Sequence, residues 1–151
     1  MDNIKLHEYW MRQTIELADQ RQSQPFAAII VDDETQQVLS TGLNDSATHP
    51  ILHGEIVALQ NCPARDLRSG CSISLYSTAE PCAMCQGALI WAQIQTLCFG
   101  TSINTLMNLG WSQIDIPASS IAKAAPKEMY IYERMLEREC DALFERAIQK
   151  P

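Results

Sequence analysis

A chain of 151 residues, 46% of them hydrophobic, is long enough to bury one core, so we expect a single domain over residues 1–151. The net charge of −7, with 18 acidic against 11 basic side chains, argues against nucleic-acid binding, which depends largely on Lys and Arg neutralising phosphates. No stretch approaches the ~20 apolar residues of a membrane span, and the N-terminal residues lack the pattern of a signal peptide, so we expect a cytoplasmic protein without membrane contact.

Helix and strand patterns alternate along the first part of the chain. Apolar residues at helical spacing predict a helix over 4–21. Two strand-like runs separated by a polar turn, 26–31 and 36–41, predict a β-hairpin. The stretch 42–50 has the composition of a loop and leads directly into a second predicted helix, 53–61.

The second part of the chain continues this alternation. The predicted elements are strand 72–76, helix 82–91, strand 96–99, helix 104–109, helix 119–125, strand 129–132 and helix 133–149. Strands that alternate with helices predict an α/β fold in which helices cover both faces of a sheet. Ligands of such sheets bind outside the strand ends, where helices begin.

Two short motifs place a histidine, a carboxylate and two thiols at spacings that suit a metal site: His53-Gly54-Glu55 and Pro81-Cys82-Ala83-Met84-Cys85. Cysteines three positions apart lie about one helical turn from each other, so both sulfurs can face one ion if Cys82 opens a helix. Pro81 favours such a helix start, and the positive end of the helix dipole favours the thiolates that bind metal. Three protein ligands leave the fourth position of zinc for water, as in catalytic sites.

Two other interpretations of the cysteine pair are a redox pair and half of a structural zinc site. A redox pair does not need an upstream His-x-Glu, and a structural site needs four ligands in two close pairs. No second paired spacing exists among the remaining histidines and cysteines, which are His7, His49, Cys62, Cys71, Cys98 and Cys140. We therefore predict a catalytic zinc ion bound by His53, Cys82 and Cys85, with Glu55 as the unligated carboxylate. This combination is the signature of zinc nucleobase deaminases.

The chain resembles the cytidine deaminase-like superfamily, in the branch of bacterial guanine deaminases, fungal cytosine deaminase and tRNA adenosine deaminases. The similarity covers about residues 5–100 and includes Pro25-Phe26-Ala27-Ala28, Asn44, His53-Gly54-Glu55 and the stretch 80–88. The resemblance implies a three-layer α/β/α fold with a central mixed five-stranded sheet, and it implies a homodimer.

The resemblance also implies the mechanism of the reaction. Zinc held by His53, Cys82 and Cys85 lowers the pKa of its bound water toward ~7. Glu55 takes the water proton, delivers it to a ring nitrogen and later helps to protonate the departing amine. An exocyclic amine is thereby replaced by a carbonyl, and ammonia is released.

Five residues are expected to contact the substrate on the basis of this resemblance. Asn44 corresponds to the family asparagine that reads the base, and the backbone N–H of Gly54 faces the substrate. Phe26 resembles a pocket-wall phenylalanine, and Trp91 lies where guanine deaminases carry a tryptophan beside the purine. Asp115 is the acid nearest to the position of an aspartate that helps guanine deaminases to release ammonia. The competing interpretations are a loop asparagine, a core phenylalanine and a tryptophan that packs a helix.

Different motifs of the chain favour different substrates. His53-Gly54-Glu55 with the stretch 59–62 resembles fungal cytosine deaminase, whereas 90–92 and Gly110-Trp111 resemble guanine deaminase. Guanine deaminases place the aspartate that helps to release ammonia just beyond the residues that correspond to Gly110-Trp111, whereas this chain has Ser112 and Gln113 there. We therefore expect a deaminase of a guanine- or cytosine-type base or nucleoside. The alternatives are a tRNA-specific adenosine deaminase and a catalytically silent zinc scaffold, which would have no use for an unligated glutamate.

Overall fold

The computed structural model describes residues 3–149, so the ends of the predicted single domain, 1–2 and 150–151, lie outside the described residues. The helices are α1 (Asn3–Ala18), α2 (Gly54–Asn61), α3 (Ala64–Leu67), α4 (Ala83–Trp91), α5 (Ile103–Leu109), α6 (Ala118–Lys123) and α7 (Glu137–Gln149), with a 3₁₀ turn at Asp19–Arg21. The strands are β1 (Ala27–Asp32), β2 (Val38–Leu43), β3 (Ile73–Ala79), β4 (Thr96–Thr101) and β5 (Tyr130–Tyr132). Within this described range, no helix has the length and apolar character needed to cross a bilayer.

The five strands form one mixed sheet in the order β2-β1-β3-β4-β5. β1 is antiparallel to both of its neighbours, whereas β3, β4 and β5 are mutually parallel. Parallel neighbours require a crossover connection, which α4 provides between β3 and β4. The crossover from β4 to β5 contains α5 and α6. The predicted mixed five-stranded sheet is confirmed.

Helices cover both faces of the sheet because successive strand residues point to opposite sides. In β1, Ile29 and Val31 pack in a core cluster with residues of α1 and α7, while Ala28 and Ile30 pack in another with residues of α2 and α4. β3 and β4 divide their side chains between the same two clusters. The structure therefore has the predicted three layers.

Two glycines bring α2 unusually close to the sheet. A Cβ atom at Gly42 of β2 would lie 2.3 Å from the backbone nitrogen of Ala58, and one at Gly54 would lie 2.6 Å from the carbonyl oxygen of Phe26. Side-chain atoms do not tolerate such distances, so glycine permits this close approach of backbone to backbone. The N-terminus of α2 is consequently fixed against β1 and β2.

Apart from shifts of up to three residues at element ends, such as β2 at Val38–Leu43 instead of 36–41, the structure differs from the predicted elements in three places. The predicted helix 133–149 begins only at Glu137, because Arg134 (φ 54°) and Leu136 (φ 51°) adopt the left-handed backbone conformation that interrupts a helix. The predicted helix 4–21 ends in a 3₁₀ turn, and the single turn of α3 was not predicted. None of these differences moves the two motifs that carry the predicted zinc ligands.

Candidate metal and active site

Two helix starts deliver the predicted zinc ligands. His53 and Cys82 are the residues immediately before α2 and α4, and both have extended backbones. Neither side chain caps its helix by a hydrogen bond, so each is available to another partner. Cys85 follows within the first turn of α4, as its spacing from Cys82 predicts. Because α2 and α4 contact each other, the three side chains come together.

The three donor atoms converge on one point. Nδ1 of His53 lies 3.6 Å from Sγ of Cys82 and 3.6 Å from Sγ of Cys85, and all three atoms lie within 4.8 Å of one another. A tetrahedral zinc ion with bonds of ~2.0–2.1 Å to nitrogen and ~2.3 Å to sulfur separates such atoms by about 3.6 Å. The donor set and its spacing therefore fit zinc. Among residues 3–149, no other group of three His, Cys, Asp or Glu side chains is arranged to share an ion.

The charges of this group also indicate a cation. A hydrogen bond from Cys85 lowers the pKa of the Cys82 thiol to about 4. The same hydrogen bond raises the pKa of Cys85, because the Cys85 thiol is the donor, and burial raises it further by disfavouring a thiolate. The hydrogen bond with Cys82 also raises the pKa of His53. A divalent cation among the three would remove the repulsion between the two thiolates and replace the proton on the imidazole.

Glu55 has the properties expected of a proton carrier. It lies in the first turn of α2, is only 5% exposed and lines the same cavity as His53 and Cys82. Burial raises the pKa of its carboxyl to about 7. A group with a pKa near the working pH can both accept and release a proton, which is what general acid–base catalysis requires.

A cavity of about 180 Å³ opens in front of these groups. This volume is smaller than the ~300–1,000 Å³ of pockets that hold drug-sized ligands, so it suits a small ring. Its lining residues within the described chain include no lysine or arginine; they are Gln24, Phe26, Asn44, Ser46, His53, Glu55, Glu80, Cys82, Trp111, Ser112 and Gln113.

Three of the predicted substrate contacts lie at this cavity or beside it. Asn44 is 6% exposed, and its amide nitrogen donates to Gln24 and to the hydroxyl of Ser46. Phe26 lines the cavity and also packs against the core cluster at the end of the sheet, a position that agrees with both interpretations considered for it. Gly54 begins α2 between the ligand His53 and the carboxylate of Glu55, although it is not itself among the lining residues.

Trp91 and Asp115 are not among the residues that line this cavity, and their predicted substrate contacts stay predictions. Trp91 is 84% exposed and lines a separate surface cavity with Ile90 and the segment 126–129. It follows Cys85 by six residues, which places it ~9 Å farther along the helix axis and away from the donors. Asp115 is exposed in the connection between α5 and α6 and does not line the cavity either.

Trp111, rather than Trp91, supplies an indole to the cavity. Its ring centroid lies 5.3 Å from that of Phe26 and 5.9 Å from that of Phe144 on α7, and its indole nitrogen donates to the Phe144 carbonyl oxygen at 3.3 Å. The Gly110-Trp111 pair is a local signal for this residue. Its position depends on α7, more than thirty residues away in sequence, which no local pattern reveals.

Comparisons with known proteins agree with this arrangement. The family model for the cytidine and deoxycytidylate deaminase zinc-binding region matches residues 4–101. The chain belongs to this family. The zinc-binding character of the family agrees with the donor group of His53, Cys82 and Cys85.

Two curated relatives are similar to this chain in sequence, and one solved structure is similar to it in fold. The chain is 37% identical over 102 residues to the tRNA-specific adenosine deaminase of Haemophilus influenzae, covering 63% of this chain and 58% of that protein. It is 33% identical over 105 residues to the probable cytosine deaminase of Schizosaccharomyces pombe, covering 66% of this chain and 63% of that protein. Each alignment thus spans less than two thirds of the relative. The guanine deaminase structure from Nitrosomonas europaea has a TM-score of 0.80 at 21% identity, covering 95% of this chain and 85% of that one, which confirms the fold.

Proposed function

We propose that this protein is a zinc-dependent hydrolytic deaminase that converts an exocyclic amine of a free base or nucleoside, of guanine or cytosine type, into a carbonyl with release of ammonia. The observation that carries this proposal is one small cavity faced by three convergent metal donors and a buried carboxylate that is not one of them. Membership of the deaminase zinc-binding family supports it.

The residues of the site divide the chemistry between them. His53, Cys82 and Cys85 would hold the zinc ion, which would lower the pKa of water toward ~7 and so supply a nucleophile at neutral pH. Glu55 accepts a proton, delivers it to a ring nitrogen and then helps to protonate the leaving amine. Burial raises the pKa of this carboxyl above its ordinary value, which favours its acting as a proton acceptor and donor.

The walls of the cavity favour an uncharged base. The side chains of Gln24, Asn44, Ser46 and Gln113 supply neutral hydrogen-bond donors and acceptors, which match the edge of a nucleobase. The aromatic rings at the cavity offer flat apolar contact to the faces of the base. No lysine or arginine among the described lining residues is placed to bind a phosphate, the usual partner of such side chains. We therefore favour a free base or nucleoside over a nucleotide.

We also propose that the protein is a homodimer, as the family resemblance implies, and that it is cytoplasmic, as its composition and N-terminal residues predict. Several large apolar side chains are exposed in the isolated chain, including Trp91 at 84% and Ile114 at 52%. Exposed apolar side chains of this size, when they form a contiguous patch, mark contact surfaces. A position at such a contact would explain the exposure of Trp91 better than the substrate role predicted for it.

A tRNA-specific adenosine deaminase is the second candidate because the Haemophilus influenzae relative with 37% identity has that name. The acidic balance of the chain, −7 overall, places this candidate second. An anticodon stem-loop is a polyanion, and proteins bind such molecules largely by neutralising phosphates with basic side chains.

Ammonia release from a substrate panel distinguishes these candidates. The zinc-loaded protein is incubated with guanine, cytosine, their nucleosides, adenosine and an anticodon stem-loop, and binding of the stem-loop is measured at low salt. We expect ammonia from guanine, cytosine or a related nucleoside and no measurable binding of the stem-loop. The second candidate would replace the first if the stem-loop bound in a salt-sensitive way and its adenosine were converted to inosine, while no base or nucleoside released ammonia.

A further inference from the structure

Glu80 is a buried acid whose position is not explained by metal binding or by proton transfer. It follows β3 directly, and its backbone N–H donates to the carbonyl oxygen of Thr101 at 2.7 Å, which ties it to the end of β4. Its side chain is only 8% exposed, at the edge of the cavity. A carboxylate removed from water in this way is stable only if hydrogen-bond donors replace the lost water.

Both carboxylate oxygens of Glu80 accept hydrogen bonds from a segment that is remote in sequence. Oε1 accepts from the backbone N–H of Ile103 at 2.9 Å, and Oε2 accepts from that of Ala118 at 2.7 Å. These residues begin α5 and α6, where backbone N–H groups have no partner within the helix. One side chain therefore fixes both ends of the segment 103–118.

The segment between these two points forms one wall of the cavity. Trp111, Ser112 and Gln113 all line it. The amide nitrogen of Gln113 donates to the carbonyl oxygen of Ser112 at 2.7 Å, a contact within the wall itself. Residues 111–117 contain no helix or strand, so a regular hydrogen-bond pattern does not hold them in place. Their position relative to the metal donors depends on tertiary contacts, which are the packing of Trp111 against Phe26 and Phe144 and the anchoring of the segment at its ends.

We propose that Glu80 is a positioning residue, which holds Trp111, Ser112 and Gln113 as the substrate-facing wall of the cavity. This inference rests on the proposed function, because it assigns the wall to substrate binding. Both oxygens of Glu80 are engaged by backbone N–H groups of the wall segment, whereas Glu55 carries the proton transfers. Loosening the wall should weaken substrate binding and leave the chemical step intact.

The variant Glu80→Gln tests this proposal in the zinc-loaded full chain. An amide offers one acceptor oxygen instead of two, so at least one of the two hydrogen bonds is lost. We expect faster hydrogen exchange at the backbone amide of Ile103 or Ala118. We also expect KM for guanine or cytosine to rise by about tenfold or more, the factor that corresponds to one hydrogen bond to a charged group, with kcat and zinc content unchanged.

Two controls accompany this variant. The amide of Thr105 in α5, which donates to the Ser102 hydroxyl at 3.1 Å, should exchange at the parental rate. Glu34→Gln changes an exposed glutamate in the turn between β1 and β2, and it should alter neither KM nor the exchange of the two wall amides. Glu80→Asp keeps the charge but shortens the side chain by one methylene, so we expect a smaller rise in KM in the same direction.

A failure of the Glu80 proposal can be distinguished from a failure of the proposed deaminase function. Hydrogen exchange needs no substrate. Unchanged exchange at the backbone amides of Ile103 and Ala118 in Glu80→Gln would therefore show that Glu80 does not anchor the segment 103–118, even if no base were deaminated. With an active parent, KM within about twofold of the parental value, or losses of kcat and zinc content in parallel, would also overturn it. If both Glu80 variants failed to fold, the residue would belong to the framework of the fold, and the proposal would be wrong.

Discussion

Replacing Glu55 by glutamine is expected to lower kcat by at least ~10²–10⁴-fold, the usual contribution of a general acid–base group, while zinc content and fold are retained. Glutamine has nearly the same shape, so it fills the buried position of a side chain that is only 5% exposed. It can neither accept nor release the protons that the reaction moves. Because Glu55 is not among the metal donors, the change should remove proton transfer alone.

The measurement for this variant combines steady-state ammonia release with metal analysis and thermal unfolding. Glu34→Gln, which makes the same chemical change at an exposed position, should behave as the parent protein. Turnover of Glu55→Gln within about tenfold of the parent would remove Glu55 from the proposed mechanism.

Replacing Cys82 by alanine is expected to remove zinc from the site and to abolish activity with it. Only His53 and Cys85 would remain, and two protein ligands are too few for a stable site when catalytic zinc normally has three. Metal analysis after dialysis measures the loss. Cys62→Ala is the matched control, because Cys62 is also buried, at 5% exposure, but lies outside the donor group. Full zinc content in Cys82→Ala would show that the assigned ligand set is wrong.

The metal centre could be predicted from the sequence because its geometry is mostly local. The spacing between Cys82 and Cys85 is one helical turn, and Pro81 marks where that turn begins. His53 stands directly before α2, so two residues later Glu55 points elsewhere and remains unligated. Apolar runs similarly predicted the strands, and the alternation of strands with helices predicted that both faces of the sheet are covered.

The wall of the cavity could not be predicted in the same way because long-range contacts determine it. Trp111 is placed by Phe144 on α7, and the segment that carries it is anchored by Glu80. Each contact joins residues at least twenty positions apart in sequence. Trp91 was assigned to the substrate by resemblance alone, and the direction of α4 carries it away from the cavity.

The start of α7 shows a second limit of local patterns. The amphipathic pattern from residue 133 onward predicts a helix, but the left-handed conformations of Arg134 and Leu136 delay its start to Glu137. The backbone N–H of Met135, between them, donates to the carbonyl oxygen of Phe99 at 2.8 Å. A tertiary hydrogen bond to β4 therefore accompanies the turn, and side-chain periodicity contains no information about it.

A zinc titration of the metal-depleted protein, with ammonia release as the readout, tests the central claim most directly. The proposed mechanism predicts that activity on guanine or cytosine is absent without metal, rises in proportion to added zinc and saturates at about one ion per chain. Glu55→Gln should take up the same amount of zinc and remain inactive throughout the titration. Ammonia release from the metal-free protein, or full zinc uptake by the parent without activity on any base or nucleoside, would contradict the assignment of this chain as a zinc-dependent deaminase.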